Sequence, residues 1–336
     1  GNKPYTLAIN HEVVTRATSA VNKEGRIILF AEGGTTRADG TLDASAPETG
    51  DGGFIETSGT HVKIADTVNI DTSSVNGETG EWLIDPNDFT IAATGGDITA
   101  ATLATQLDSN NVTIETATQG TAGGNGDIFV NEDTSWTSNN SLTLNAERNI
   151  EVNNAITNTG TGDLNLNALD GSITTGTAAI TLGGGSATFT TTEAASNNTA
   201  GDRNIQIGSG GISAANTSVT LTSADDVIVN GAINAASVTA AAGDGKDGVG
   251  TFVELASLNG GETGNAGERG GDIIVNQTIT STVGDIQLTA GRGGNGFDGG
   301  SGGSGDDGSS SNGSDGGNSG GTGGAGGAGE IGRASV

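Results

Sequence analysis

The chain has 336 residues, no cysteine and no methionine, 61 glycines, and 40 acidic against 12 basic side chains, for a net charge of −28. The lack of cysteine excludes disulfides and thiolate metal sites, and the acidic balance argues against the cationic footprint that nucleic-acid binding requires. With 3% aromatic residues, the apolar positions are mostly Val, Ile, Leu and Ala, which suits a narrow core stacked layer on layer better than the core of a globular enzyme.

Residues 1–90 hold the first predicted strands. Arg26 to Ala31 reads as a buried strand, followed by a turn-rich stretch from Glu32 to Gly40. Gly52-Gly53-Phe54-Ile55-Glu56-Thr57-Ser58-Gly59 is a strand between glycine turns, and His61 to Ile64 and Thr67 to Asp71 alternate apolar and polar side chains. Alternation places residues two apart on one face and predicts half-buried strands. In Glu81-Trp82-Leu83-Ile84-Asp85-Pro86-Asn87-Asp88-Phe89-Thr90-Ile91, Pro86 cannot donate to a strand ladder and marks a corner. Thr99 to Asp108 is the single short helical pattern, about two turns around Leu103 to Leu107.

Residues 91–290 are repetitive. Gly126-Asp127-Ile128-Phe129-Val130-Asn131 returns as Asn149-Ile150-Glu151-Val152-Asn153 and as Gly162-Asp163-Leu164-Asn165-Leu166-Asn167. Ile128 and Ile150 lie 22 residues apart, as do Leu142 and Leu164, and Ile205 and Val227. The unit continues in Gly271-Asp272-Ile273 and Gly284-Asp285-Ile286. A fixed period near 20 residues predicts a solenoid. A coil of this length holds three short strands and three turns, and about nine coils spaced ~4.8 Å give a rod ~45 Å long. Asn131, Asn153, Asn167 and Asn276 recur at strand ends, either as stacked hydrogen-bonded ladders or because Asn tolerates left-handed turns.

Residues 291–336 form a Gly-rich segment. Twenty of residues 291–329 are glycine, with three Gly-Gly-X triplets from Gly320 to Ala328. The readings are an extended three-fold helix or a flexible linker. Gly260 to Gly271 and Ala242 to Gly250 are smaller insertions of similar composition.

Candidate sites are sparse. Gly293-Gly294-Asn295-Gly296-Phe297-Asp298 matches the start of a calcium-binding nonapeptide but does not repeat, leaving Asp298, Asp306, Asp307 and Asp315 as candidate calcium ligands. No other cofactor is expected. Asn111, Asn139, Asn197, Asn216 and Asn276 begin Asn-X-Ser/Thr sequences and are candidate glycosylation sites, testable against the 32.7 kDa polypeptide mass. Asp225-Asp226 and Asp85 with Asp88 are acid pairs of the kind used in glycan cleavage. The cations that such chemistry needs are few in the repeat region and just after it, namely Arg148, Arg203, Arg269, Arg292 and Lys246. His11 and His61, the two histidines, have no Ser or Cys partner evident in the sequence. No catalytic residue is expected.

The motif Gly52 to Gly59, followed by Trp82-Leu83-Ile84-Asp85-Pro86-Asn87-Asp88, resembles the filamentous-haemagglutinin family, large exoproteins of Gram-negative two-partner secretion that include the high-molecular-weight adhesins. Trp136 and Leu142 to Ala146 also fall where such chains place them, and the similarity spans about residues 1–290. The resemblance implies a right-handed parallel β-helix and export by an outer-membrane transporter. That transporter would engage a region outside this chain, since the family's N-terminal secretion module is not evident here. It further implies an extracellular or cell-surface setting and a role in adhesion or biofilm matrix, through contacts with glycans or other surface components. Because the sequence begins at Gly1 with no leader, a piece of a longer protein is expected. Two alternatives stand beside this: a self-assembling extracellular fibre subunit, and a polysaccharide-cleaving β-helix enzyme.

Overall fold

The computed structural model describes residues 7–11, 15–16, 25–116, 124–193, 203–244 and 270–293. The described chain is nearly all β, with long parallel sheets and one helix, Ala100–Leu107. The strands form a 15-stranded, a seven-stranded and a three-stranded sheet, and every pairing among them is parallel.

The layer repeat is clearest from Ile128 onward. Ile128–Val130, Thr134–Trp136 and Leu142–Ala146 are followed by Ile150–Val152, Ile156–Asn158 and Leu164–Ala168. Each strand pairs with the strand 22 positions on: Ile128 with Ile150, Thr134 with Ile156, Leu142 with Leu164. Earlier layers are longer, Phe54 pairing with Glu81 and Leu42 with Ile70. Four long strands, Arg26–Ala38, Phe54–Ile64, Ile212–Thr222 and Ile233–Ala241, each occupy two strand positions of a layer. Register shifts between Ala31 and Thr35 and between Ala214 and Ser218 mark where they do so. These strands join two rows into the 15-stranded sheet. The row containing Leu142–Ala146 is termed the long face below.

Stacking like on like builds the core. On the long face the inward column runs Ile84, Ile114, Leu144, Leu166, Phe189, Leu221 in direct register, each fully buried. In the seven-stranded sheet the column is Phe89, Ile128, Ile150, Ile173, Ile205, Val227, Ile273. β-Branched side chains fill this pleated surface well.

The two motifs that carried the family resemblance are neighbours in space. Phe54 to Ser58 pairs in parallel with Glu81 to Asp85. Trp82 is fully buried, and its indole Nε1 donates to Thr57 Oγ1 at 3.1 Å. Pro86 directly follows that strand, at the corner expected of it. Glycine is required where corners stack closely: a Cβ on Gly80 would lie 2.0 Å from the Gly53 carbonyl oxygen, and one on Gly208 1.5 Å from that of Gly176.

One sequence grouping is corrected by the pairing. Gly126-Asp127-Ile128 and Gly162-Asp163-Leu164 do not stack on each other. The first opens a strand of the seven-stranded sheet and the second a strand of the long face.

Replacing Phe189 by Ala, between Leu166 and Leu221, should cost roughly 3–5 kcal/mol. The outward neighbour change Thr188→Ala should stay within about 0.5 kcal/mol. Urea denaturation of the two variants checks the inside–outside assignment.

Candidate functional site

The residue just before each strand of the seven-stranded sheet is Asp, Asn or Ser, and its side chain reaches one layer along the stack. Asp88 Oδ1 accepts the Asp127 N–H at 3.0 Å, Asp127 Oδ1 that of Asn149 at 3.1 Å, and Asn149 Oδ1 that of Ser172 at 2.9 Å. The column continues through Ser172 Oγ to Asn204 N, Asn204 Oδ1 to Asp226 N, and Asp226 Oδ1 to Asp272 N, the last at 2.7 Å. Asp88 also accepts from the N–H groups of Asn125 and Gly126. The long face has its own version in Asn111, Ser141, Asp163 and Ser186.

The junction between the long face and the seven-stranded sheet is a corner, crossed for example between Leu142–Ala146 and Ile150–Val152.

Charge gathers at this same corner. Arg148 pairs with Asp127 through Nε at 2.8 Å and through its terminal nitrogen, and the hydrogen bond to Asp127 raises the guanidinium pKa. Arg203 is buried and pairs with Asp170 at 2.8 Å. Burial opposes its charge, while the bond to Asp170 and the nearby Glu193 and Asp225 hold its pKa up. Burial, and then the nearby Asp170, raise the Glu147 pKa from its ordinary value.

The long face outside the core is different. Thr143, Asn165, Thr188, Thr220 and Thr239 occupy one outward column in direct register. Beside it run Asn145, Asn167, Thr190 and Thr222. Asn167 Nδ2 donates to Asn145 Oδ1 at 2.9 Å, and Asn165 Nδ2 to Thr143 Oγ1 at 3.4 Å. On the other rows Asn153 donates to Asn131 at 2.8 Å and Asn276 to Asn230 at 2.7 Å. Of the two readings of the recurrent Asn, the amide ladder is therefore observed.

Helix Ala100–Leu107, shorter by two residues than the Thr99 to Asp108 pattern, stands where a strand would otherwise cover Asn69–Asp71. Two side-chain amides take over that strand's hydrogen bonds. Gln106 Oε1 accepts from Ile70 N at 2.8 Å and Nε2 donates to the Val68 carbonyl at 3.1 Å. Asn110 Oδ1 accepts from Thr72 N and Nδ2 donates to the Ile70 carbonyl. On the far side, the Leu107 carbonyl accepts from Ser138 Oγ and Asn140 Nδ2. A shallow hollow of about 380 Å³ opens beside the helix, lined by Asp66, Ala93, Thr99, Thr102, Thr105 and Glu132 among others. Asp66 Oδ1 accepts from Thr102 and Thr99, which lowers its pKa, and Glu132 accepts the Ala100 N–H.

Of the residues singled out in the sequence, Asp298, Asp306, Asp307, Asp315 and Asn197 lie outside the described residues, as does the segment 294–336. Asn139, Asn216 and Asn276 are exposed and Asn111 is half-buried; the amides of Asn111, Asn216 and Asn276 are donors, to the Thr79 and Gly80 carbonyls, the Gly183 carbonyl and Asn230. Three of the four residues in the acid pairs hold backbone: Asp88 and Asp226 as above, and Asp225 Oδ2 by accepting from Arg203 N at 2.8 Å. Sequence reasoning missed the clamp column, although its signal is present as a short polar residue directly before each alternating run. It also missed Gln106 and Asn110. No protein-family model, curated protein or solved structure matches the chain.

Gln106→Leu leaves the buried Ile70 N–H and Val68 carbonyl without partners. Each such orphan costs about 1–3 kcal/mol, read as a lower denaturation midpoint and faster exchange of the Ile70 amide. Acid should loosen the helix through Asp66. Hydrogen bonds hold its folded pKa below the unfolded value, so its contribution is complete above the unfolded pKa and is lost as pH falls through the folded one. Thermal unfolding followed between about pH 6 and about pH 2 should therefore be less pH-sensitive in Asp66→Asn.

Proposed function

We propose that the chain is a right-handed parallel β-helix and a non-catalytic segment of a large secreted surface exoprotein of the filamentous-haemagglutinin kind. Its place is outside a Gram-negative cell, reached through an outer-membrane transporter that engages a region outside this chain. Its work is adhesion or biofilm-matrix bridging, by contacts with glycans or other surface components. The observation that carries this reading is the long face: an extended array that presents the same polar groups layer after layer. Such arrays suit many weak contacts added along a surface, where avidity replaces single-site affinity.

The test applies the purified segment to immobilised polysaccharides and to cell surfaces. The expected result is retention that rises steeply with surface density and leaves the polysaccharide chain length unchanged. Absence of retention on every surface overturns the adhesive reading. New reducing ends or unsaturated products would replace it with a cleaving enzyme, and long filaments without retention with a fibre subunit.

A further inference from the structure

We propose that the partner of the long face is an uncharged polysaccharide, lying across the strands over Thr143, Asn165, Thr188, Thr220 and Thr239. This deepens the adhesive reading and rests on it.

The first argument is the distribution of charge. The chain carries −28 overall, yet the two outward columns hold no ionisable side chain from Thr143 to Thr239. Carboxylates border them: Glu115 is the layer neighbour of Asn145, and Glu147 and Asp170 follow the strands at the corner. Glu147 stands two residues beyond Asn145, about 7 Å along an extended chain. That is inside the ~8 Å screening length at physiological salt. A sulfated or uronic polymer on the columns would therefore feel the border acids, and an uncharged one would not.

The second argument is hydrogen-bonding capacity. Thr hydroxyls and Asn amides both donate and accept, as sugar hydroxyls do. The ladder bonds Asn145–Asn167 and Thr143–Asn165 fix two of the layers before any ligand arrives, which lowers the ordering cost of binding.

Size decides against a second copy of the chain. Five layers at ~4.8 Å and two columns ~7 Å apart give a strip of a few hundred Å², well short of the ~800 Å² per partner of a stable protein interface. A second copy would also bring its acidic corner to the same border. A linear polymer is narrow enough to follow the strip alone. The columns contain no aromatic side chain, so each contact is weak and binding depends on chain length.

Affinity electrophoresis of the whole chain through gels containing dextran, galactomannan, alginate or heparin tests this. At least one uncharged polymer should retard the protein, more strongly as its chain lengthens, with no retardation by alginate or heparin. The double variant Thr188→Asp/Thr220→Asp should weaken retardation by roughly tenfold or more, the factor equivalent to about 1.4 kcal/mol. Thr188→Val/Thr220→Val, which keeps the shape, should also weaken it while leaving the thermal midpoint unchanged. Retardation by the acidic polymers alone overturns this proposal and leaves the adhesive reading standing, as does uncharged-polymer binding that the Asp variant does not change. A concentration-dependent dimer that the Asp variant dissolves, without polymer binding, identifies the occupant as a second copy and likewise overturns it. Binding to none of these polymers and to no cell surface removes both.

Discussion

The stack depends on a hydrogen bond between a short side chain and the backbone one layer away. A parallel ladder pairs strands but does not by itself prevent a slip, and a slip by one residue turns every inward side chain outward. The column from Asp88 through Asp127, Asn149, Ser172, Asn204 and Asp226 to Asp272 fixes the register at the residue just before each strand. The apolar column behind it is thereby set, since Phe89, Ile128, Ile150, Ile173, Ile205, Val227 and Ile273 are the next residues in sequence. Asp, Asn and Ser suit this place because their oxygens sit close to the main chain and bond neighbouring backbone readily. Layers then vary in length without losing alignment. Ile173 pairs with Ile205 and Val227 with Ile273 at separations of 32 and 46 residues, in the same column as the layers 22 residues long.

The helix shows the same constraint from the other side. Where Ala100–Leu107 replaces a strand, the backbone groups of Asn69–Asp71 still need partners, because a buried N–H or carbonyl left alone costs more than a formed bond gains. Gln106 and Asn110 meet that need with amides that offer a donor and an acceptor each, as a peptide group does. A helix is thus accommodated within a stack of parallel strands through two residues of matching chemistry.

Much of this was readable in the sequence because it is local. Alternating runs such as Leu142 to Ala146 announce which residues face inward, Pro86 announces a corner, and Leu103 to Leu107 a short helix. What alternation leaves open is which of several equivalent faces a strand joins. Gly126-Asp127-Ile128 and Gly162-Asp163-Leu164 look alike because both begin a strand with a clamp, yet they lie on different sheets. The roles of Gln106 and Asn110 were invisible because their partners lie 36 to 40 positions earlier. The uncharged columns of the long face also escaped notice. Thr188 and Thr220 are ordinary outward residues until register places one beside the other.

Register also explains where the acid can go. Residues in one column of a ladder stand ~4.8 Å apart, a distance at which two carboxylates repel by roughly 1–4 kcal/mol depending on their exposure to water. The long-face columns from Thr143 to Thr239 avoid that repulsion with uncharged side chains, and several carboxylates sit at the corners, where N–H groups and arginines meet them. Asp127 meets Arg148 and Asp170 meets Arg203 in this way. The uncharged long face serves the stack first, and it presents Thr and Asn, regularly spaced, to whatever lies alongside.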